Sequence, residues 1–473
     1  MYTFDRYADL FGAEAWFADD PLMLHWQTDY LAAGTVYEEA GVSYTIPADM
    51  LRVLLEFSAE EGSFQRAEYF LPRAWEGRFI GYGNGGLAGG LPIAQPIEAA
   101  GRGFLTATCD LGTSEGQDAG IRNPAMAADF GHRATHLMTV YAKLLAEKLY
   151  HAAPEFSYFF GGSTGGEQAL SEAQRYPGDY DGIIAGAPAN NRIALHTYFI
   201  WNFVHTRDTS GHPLFDEALT QKIHQAVIAY AQSHGDGLPG DRFVTLPPLQ
   251  REEIIKLVDH LRKELALSDE VADALRALYE GPYRKNGEPI YCGIPAGSEL
   301  ASFGISDIAS RTACPYPYPS IWAMGDSFDP MTFDFDADHD LVLHTLSRHM
   351  DANDPDLTPF FSRGGRLLIV SGTADPCVPF QDAYAYSEKV ALSSENAKGS
   401  FRFFLIPSFD HSRAASLDHG RLTDQSGLSL YDAMIAWREK GIPINAVRAE
   451  LQGVNDPAPH PREIQPLVPI LNQ

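Results

Sequence analysis

A glycine-rich segment that follows a run of apolar residues constrains the fold of this chain more than any other stretch. Residues 161–167 read Gly-Gly-Ser-Thr-Gly-Gly-Glu, between the strand-like run 156–160 and the helix-compatible run 167–176. The pattern Gly-x-Ser-x-Gly in this setting predicts a sharp strand-to-helix turn that pushes the hydroxyl of Ser163 out of a sheet edge, where it can act as a nucleophile. The alternative is an ordinary serine in a glycine-rich turn, because this pattern also occurs by chance.

Short apolar and aromatic runs alternate with helical patterns along the chain, which predicts an α/β fold. The strand candidates are mostly apolar, as parallel strands covered on both faces are, and they comprise residues 78–82, 104–109, 156–160, 182–186, 366–370 and 401–406. Residues 133–150 carry apolar side chains at three- and four-residue spacing, which is typical of an amphipathic helix. Strand–helix–strand alternation indicates a doubly wound, mostly parallel sheet.

This alternation breaks between residues 205 and 356. The span contains helical patterns, including 251–265 and 268–279, and then loops rich in proline and glycine. It is too long for a loop within a compact domain. We therefore predict a discontinuous core domain, residues 1–204 and 357–473, with a lid domain inserted at residues 205–356. We expect the lid to lie over the carboxyl ends of the strands.

A nucleophilic serine needs a base, and the base needs an acid that orients it. Asp375 and His411 each lie just after a strand candidate, where open α/β sheets collect their functional groups. The chain order serine, acid, histidine is that of α/β hydrolases. Taken alone, Asp375 is better explained as a turn-forming or helix-capping residue and His411 as a surface loop residue, but their positions after successive strands and in this order favour catalysis. Spacing does not exclude their neighbours Asp410, Asp418 and His419.

Composition and charge limit the classes of partner. Of the 473 residues, 45% are apolar, enough for a substantial core, and the formal net charge is −27. This charge argues against nucleic acid and anionic membrane surfaces as partners. The sequence has no apolar run long enough to span a membrane and no signal-peptide pattern, so we expect a cytoplasmic protein. The four cysteines lack Cys-x-x-Cys spacing and are interpreted as reduced thiols, with one disulfide bond left open.

Several segments together resemble the tannase and feruloyl esterase family of α/β hydrolases. Besides the turns that carry Asp375 and His411, the matching segments are residues 71–79, 83–89, 133–136, 161–168, 180–190, 332–336 and 351–365. The family cleaves esters of aromatic acids, and its members include hydrolases of the terephthalate monoester released from polyester. The resemblance implies an α/β-hydrolase fold and a serine esterase that acts on small esters of hydroxycinnamate, gallate or similar acids.

The resemblance also assigns roles to residues. It makes Ser163 the nucleophile, Asp375 the acid and His411 the base of a catalytic triad. Backbone N–H groups of Thr164, Gly85 and Gly86 are expected to form the oxyanion hole. The alternative for the loop at Gly85 is a hairpin turn, which the preceding asparagine favours. Five aromatic residues are candidates either to stack on a phenolic ring or to form the core of the lid: Trp201, Phe303, Tyr316, Tyr318 and Trp322.

The chain departs from the family pattern in two places. Members usually carry cysteines directly before the nucleophile and directly after the histidine, joined by a disulfide bond, and here those residues are Gly162 and Ser412. Members also carry calcium in the lid, and the matching stretch here offers only Asp236 and Asp241 as carboxylate ligands. We therefore expect no such disulfide bond and no cofactor, and Asp236 and Asp241 are the only candidate ligands if calcium binds.

Two other functions stay open at this point. The same scaffold can attack another acyl bond, such as an amide, a thioester or a lactone. A non-catalytic protein that binds a small molecule is the second alternative. The presence of Ser163, Asp375 and His411 together argues against mere binding, because binding requires none of the three.

Overall fold

The computed structural model describes residues 2–3, 16–454 and 456–467 of the chain. Its strands are β1 (Tyr2–Thr3), β2 (Met23–Leu31), β3 (Val36–Glu39), β4 (Val42–Thr45), β5 (Met50–Phe57), β6 (Gln65–Pro72), β7 (Ala74–Trp75), β8 (Arg78–Tyr82), β9 (Leu105–Cys109), β10 (Phe156–Gly162), β11 (Gly182–Gly186), β12 (Arg366–Gly372), β13 (Phe401–Ile406), β14 (Thr423–Asp424), β15 (Val447–Leu451) and β16 (His460–Ile464).

The α-helices are α1 (Ala94–Gly101), α2 (Pro124–Ala128), α3 (Ala134–Tyr150), α4 (Thr164–Arg175), α5 (Arg192–His205), α6 (Glu217–Ser233), α7 (Arg251–Leu265), α8 (Asp269–Glu280), α9 (Ile305–Ser310), α10 (Tyr318–Met324), α11 (Ala337–Met350), α12 (Thr358–Ser362), α13 (Phe380–Ser393), α14 (Ala397–Ser400), α15 (His411–Ala415) and α16 (Leu430–Lys440). A π-helical turn, Asp129–Arg133, leads into α3.

A nine-stranded sheet forms the centre of the molecule, in the order β13-β12-β11-β10-β8-β9-β6-β5-β2. The six strands from β13 to β9 are parallel, and β6, β5 and β2 continue the sheet antiparallel. All six predicted strands occur, three with the predicted bounds and three shifted by one or two residues at one end. The predicted α/β-hydrolase class with a mostly parallel sheet is therefore confirmed.

Helices cover both faces of this sheet, so alternate residues of one strand enter different cores. On β10, Phe159 belongs to the apolar cluster that includes Leu145 of α3. Its neighbour Tyr158 belongs to a second cluster, which includes Met434 of α16. A strand buried on both faces is typically apolar throughout, which is why the sequence of β10 is an almost continuous apolar run.

A large insertion separates β11 from β12 and contains helices α5 to α12. Helices α5, α6, α7 and α8 share an apolar core of their own, which includes Leu195, Val227, Leu261 and Leu275. The boundary predicted at residue 205 falls at the end of α5. Helix α11 packs differently, because Val342, Leu346 and Met350 belong to the largest core cluster of the sheet. The division into a core domain and a lid domain stays a prediction.

Two general features of the described part of the chain concern its helices and its cysteines. None of its helices is both long enough and apolar enough to cross a bilayer. All four cysteines are free thiols, and three of them are buried.

Candidate active site

Ser163 occupies the sharp turn between β10 and α4. Its backbone has φ 61° and ψ −119°, in the region of positive φ that side chains other than glycine rarely adopt. The two residues before it, Gly161 and Gly162, must be glycines because other backbone segments approach them too closely for a side chain. A Cβ on Gly161 would lie 2.3 Å from the carbonyl oxygen of Gly165, and one on Gly162 would lie 2.0 Å from that of Ala415. The local sequence therefore forces the serine hydroxyl outward.

The structure brings the three predicted side chains together. The hydroxyl of Ser163 lies 3.0 Å from Nε2 of His411, and Nδ1 of His411 lies 2.8 Å from Oδ2 of Asp375. Asp375 is fully buried, and its other oxygen accepts hydrogen bonds from the backbone N–H groups of Cys377 and Val378. The fixed carboxylate accepts a hydrogen bond from the N–H at Nδ1, which keeps the proton on Nδ1 and leaves Nε2 free to take a proton from the serine.

The topology of the sheet explains this convergence. Ser163 follows β10, Asp375 follows β12 and His411 follows β13, and these strands run parallel within one sheet. Their carboxyl ends therefore meet at one edge, as in other open α/β sheets. The neighbouring candidates have other contacts. Asp410 accepts the N–H of Arg413 at the start of α15, Asp418 pairs with Arg413, and His419 is exposed.

The electrostatics of His411 favour its protonated form. Burial is the largest single influence and lowers the pKa of the imidazole, but the carboxylate of Asp375 and the thiol of Cys377 together raise it, so that the pKa of His411 lies well above its ordinary value of 6.5. The imidazolium form of His411, which arises when this residue takes the serine proton, is therefore stabilised.

The predicted oxyanion residues face the same cavity as Ser163. Thr164, Gly85 and Gly86 all line it. The N–H of Thr164 is at the first position of α4, where a helix offers its N–H groups no internal acceptor. The hairpin alternative for the loop at Gly85 is wrong, because the strand after it, β9, runs parallel to β8. The loop is fixed by a hydrogen bond from the N–H of Gly165 to the carbonyl of Asn84, at 2.7 Å.

The cavity has a volume of about 450 Å³ and aromatic walls. Three of the five aromatic candidates line it, namely Phe303, Tyr316 and Tyr318. Trp201 and Trp322 do not line it. The indole of Trp201 donates to the carbonyl of Ala277, and that of Trp322 donates to the carbonyl of Gln117.

Sequence reasoning missed several cavity residues, because they lie on α5 before the predicted lid or beside Asp375. They are Arg192, Leu195, His196, Phe199 and Cys377. Only one signal in the sequence pointed to them. A helix that directly follows β11 begins at the same sheet edge as Ser163, so its first turns face the site.

The candidate calcium ligands do not fit a cation. Oδ1 of Asp241 lies 2.8 Å from the guanidinium of Arg462, which occupies the place that a cation would take. Both oxygens of Asp236 accept backbone N–H groups, from Thr245 and Leu246. Calcium requires six to eight oxygen ligands, and donors that point at the same carboxylates exclude it.

A second cluster of possible ligands also has other partners. The ligand atoms of His136, Glu172 and Asp179 lie within 4.8 Å of one another. However, Nδ1 of His136 is 2.6 Å from Asp179, and the ammonium group of Lys143 is 3.4 Å from the same carboxylate. Both groups already contact Asp179, so the cluster is a polar network that joins α3 to the segment before β11.

Comparison with known proteins places these features in a family context. Residues 63–468 match the family model described as tannase and feruloyl esterase. Feruloyl esterase B of Aspergillus niger is 31% identical over 443 residues, which cover 87% of this chain and 82% of that protein. Probable feruloyl esterase B-2 of Aspergillus terreus is 28% identical over 429 residues, 86% of this chain and 79% of that protein.

Solved structures share the fold. Feruloyl esterase B from Aspergillus oryzae matches with a TM-score of 0.83 at 23% identity, covering 97% of this chain and 95% of that one. The tannin acyl hydrolase from Aspergillus niger matches with a TM-score of 0.71 at 18% identity, covering 93% and 87%.

Proposed function

The chain belongs to the tannase and feruloyl esterase family of carboxylic ester hydrolases, and we propose that it hydrolyses small esters of aromatic acids through an acyl-enzyme on Ser163. One observation carries the assignment of residues. Ser163, His411 and Asp375 form a continuous series of hydrogen bonds, and Ser163 and His411 open into a cavity with aromatic walls.

The acylation step follows from this geometry. His411 accepts the proton of Ser163 through Nε2 while the serine oxygen attacks the ester carbonyl. Asp375 holds the Nδ1 tautomer and stabilises the imidazolium. His411 then donates the proton to the leaving alcohol, and the aromatic acid stays bound to Ser163 as an ester.

The oxyanion of the tetrahedral intermediate is held by backbone N–H groups of Thr164 and of the loop at Gly85 and Gly86. A water molecule, deprotonated by His411, then attacks the carbonyl carbon of the acyl-enzyme, and His411 returns the proton to the oxygen of Ser163 as the acid is released. The same N–H groups hold the second tetrahedral intermediate, so both steps use one oxyanion hole.

Recognition of an aromatic acid is supported by the cavity walls. The rings of Phe303 and Tyr316 are parallel within 11°, with centroids 5.6 Å apart, and Tyr318 and Phe199 also face the cavity. The volume of about 450 Å³ lies in the range typical of small-molecule sites. Flat apolar walls with a few hydroxyl groups suit a phenolic ring.

A panel of substrates tests this function. The purified protein should hydrolyse methyl ferulate and methyl gallate with a higher kcat/KM than methyl acetate, which has the same leaving alcohol, and it should leave an anilide of ferulic acid intact. Preference for the acetate would argue against an aromatic-acid pocket. Faster cleavage of the anilide would favour the alternative of another acyl bond.

We also propose a cytoplasmic, reducing environment for the protein. Four free thiols support this proposal, as do Gly162 and Ser412 at the two places where the family resemblance implies a pair of cysteines.

A further inference from the structure

The side chain of Thr164 joins the two backbone segments proposed to hold the oxyanion. Its hydroxyl donates a hydrogen bond of 2.6 Å to the carbonyl oxygen of Gly86. Thr164 begins α4, whereas Gly86 lies in the loop after β8 and has a φ of 57°. One side-chain hydrogen bond therefore ties the start of the helix to the glycine loop, directly beside the N–H groups that must converge on one oxygen atom.

A buried arginine orients that hydroxyl. Nη1 of Arg192 donates to Oγ1 of Thr164 and to the phenol oxygen of Tyr318, each at 3.2 Å. A hydroxyl that accepts a hydrogen bond from a guanidinium group must direct its own hydrogen elsewhere, and here the acceptor is Gly86. Arg192 therefore determines the direction of the Thr164 hydrogen bond.

The rest of the guanidinium group is held away from solvent. Arg192 is 3% exposed, its Nη2 lies 3.5 Å from a carboxylate oxygen of buried Glu167, and its guanidinium carbon lies 5.2 Å from the ring centre of Phe130. Within the described residues, Nε and Nη2 of Arg192 have no hydrogen-bond partner, and neither has the carboxylate of Glu167. A desolvated guanidinium group with unused donors is a costly way to stabilise a fold. Its directed contacts are the two made by Nη1.

We propose that Arg192 is a positioning residue that sets the geometry of the oxyanion hole through Thr164 and couples it to the aromatic wall through Tyr318. This inference rests on the proposed function and deepens it. Arg192 is the first residue of α5, so the insertion that supplies the cavity walls also aligns the catalytic N–H groups. The oxyanion exists only in the transition states and intermediates, so the effect belongs to kcat.

Two variants of Thr164 test the first contact. Thr164→Val is nearly isosteric but lacks the hydroxyl, and we expect it to lower kcat for methyl ferulate by about 10- to 100-fold, with KM changed less than about threefold. It should weaken the binding of benzeneboronic acid, which mimics the tetrahedral intermediate, by a similar factor. Thr164→Ser restores the hydroxyl and should recover most of the loss.

A double-mutant cycle tests the role of the arginine. Arg192→Gln should lower kcat about as much as Thr164→Val does, and the double variant should be little worse than either one, because both changes break the same contact. Arg207→Gln is the matched control. It removes another partly buried arginine just after α5, which bonds carbonyl groups such as that of Phe203, and should leave kcat within about threefold. Melting curves show whether each variant folds. If Arg192→Gln does not fold, adding Glu167→Gln removes the carboxyl group that the lost arginine leaves without a partner.

The outcomes separate the two proposals. Loss of kcat with a non-additive cycle supports the inference. Unchanged kcat in Thr164→Val, an additive cycle, or an effect of Arg192→Gln on KM alone would overturn it, the last by showing direct contact with substrate. Parent protein without esterase activity would instead refute the proposed function itself.

Discussion

Asp375 and His411 show how far single residues were predictable from the sequence. Both lie a few residues after the end of a strand, and their order after Ser163 predicted an acid and a base. In the structure, Nδ1 of His411 lies 2.8 Å from Oδ2 of Asp375. Arg192 was not predicted. It occupies a loop-to-helix junction without a motif, and its importance comes from contacts with Thr164 and Tyr318, residues 28 and 126 positions away. Sequence patterns capture local geometry, whereas such contacts exist only after folding.

The pH dependence of catalysis follows from His411. Only the neutral imidazole can accept the serine proton. Burial lowers the pKa of His411, but Asp375 and Cys377 together hold it well above 6.5. We therefore expect kcat/KM for methyl ferulate to rise with pH through a midpoint above 6.5. In Asp375→Asn the residual activity should titrate at a lower pH. A midpoint below 6.5 in the parent protein would contradict the proposed electrostatics.

Among the secondary-structure elements, the parallel strands were predicted well and the antiparallel ones were missed. β5 and β6 are buried but contain an ion pair between Arg52 and Glu68, and these charges break the apolar pattern by which strands were recognised. The amphipathic helix α7 has the predicted bounds, because its apolar stripe repeats regularly. Pairing across the sheet, which makes the two charges tolerable in β5 and β6, cannot be inferred from either strand alone.

The aromatic wall of the insertion should act on selectivity and not on chemistry. His196 of α5 supports it through a 2.6 Å contact between Nδ1 and the carbonyl of Tyr316. We expect Phe303→Ala and Tyr316→Ala to lower kcat/KM for methyl ferulate by about tenfold, the value of a lost aromatic contact, and to change that for p-nitrophenyl acetate little. The control is Tyr283→Ala, which removes an aromatic ring of the insertion that packs on Trp201, away from the cavity. Equal losses on both esters would contradict a role in recognition.

Strand β16 supplies a cationic partner to Asp241, one of the two candidate calcium ligands. Arg462 reaches the carboxylate of Asp241, which is 4% exposed, and Arg462→Met would leave that charge buried without its cation. Because Arg462 is itself 29% exposed, we expect a loss of about 1–2 kcal/mol in the free energy of unfolding, measured in urea. Adding Asp241→Asn should recover part of the loss. Chelators should not change the melting temperature of the parent protein, and a drop in EDTA that calcium reverses would refute this account.

The molecule as a whole is held together without disulfide bonds. Its four cysteines are free, and the apolar clusters on both faces of a nine-stranded sheet supply the core. Millimolar reducing agent should therefore leave both esterase activity and melting temperature unchanged. Loss of a native disulfide bond typically costs 2–5 kcal/mol, so a large drop in melting temperature on reduction would show that a bond exists.

The central claim is that Ser163 carries the aromatic acyl group, and trapping that intermediate tests it most directly. The protein is mixed with excess p-nitrophenyl ferulate, quenched in acid within milliseconds and digested with a protease. The masses of the peptides are then measured by mass spectrometry. We predict a mass increase of one feruloyl group on the peptide that contains Ser163. Ser163→Ala, with an unchanged melting temperature, should show neither the adduct nor turnover above background. An adduct on another residue, or activity in Ser163→Ala within tenfold of the parent, would contradict the account.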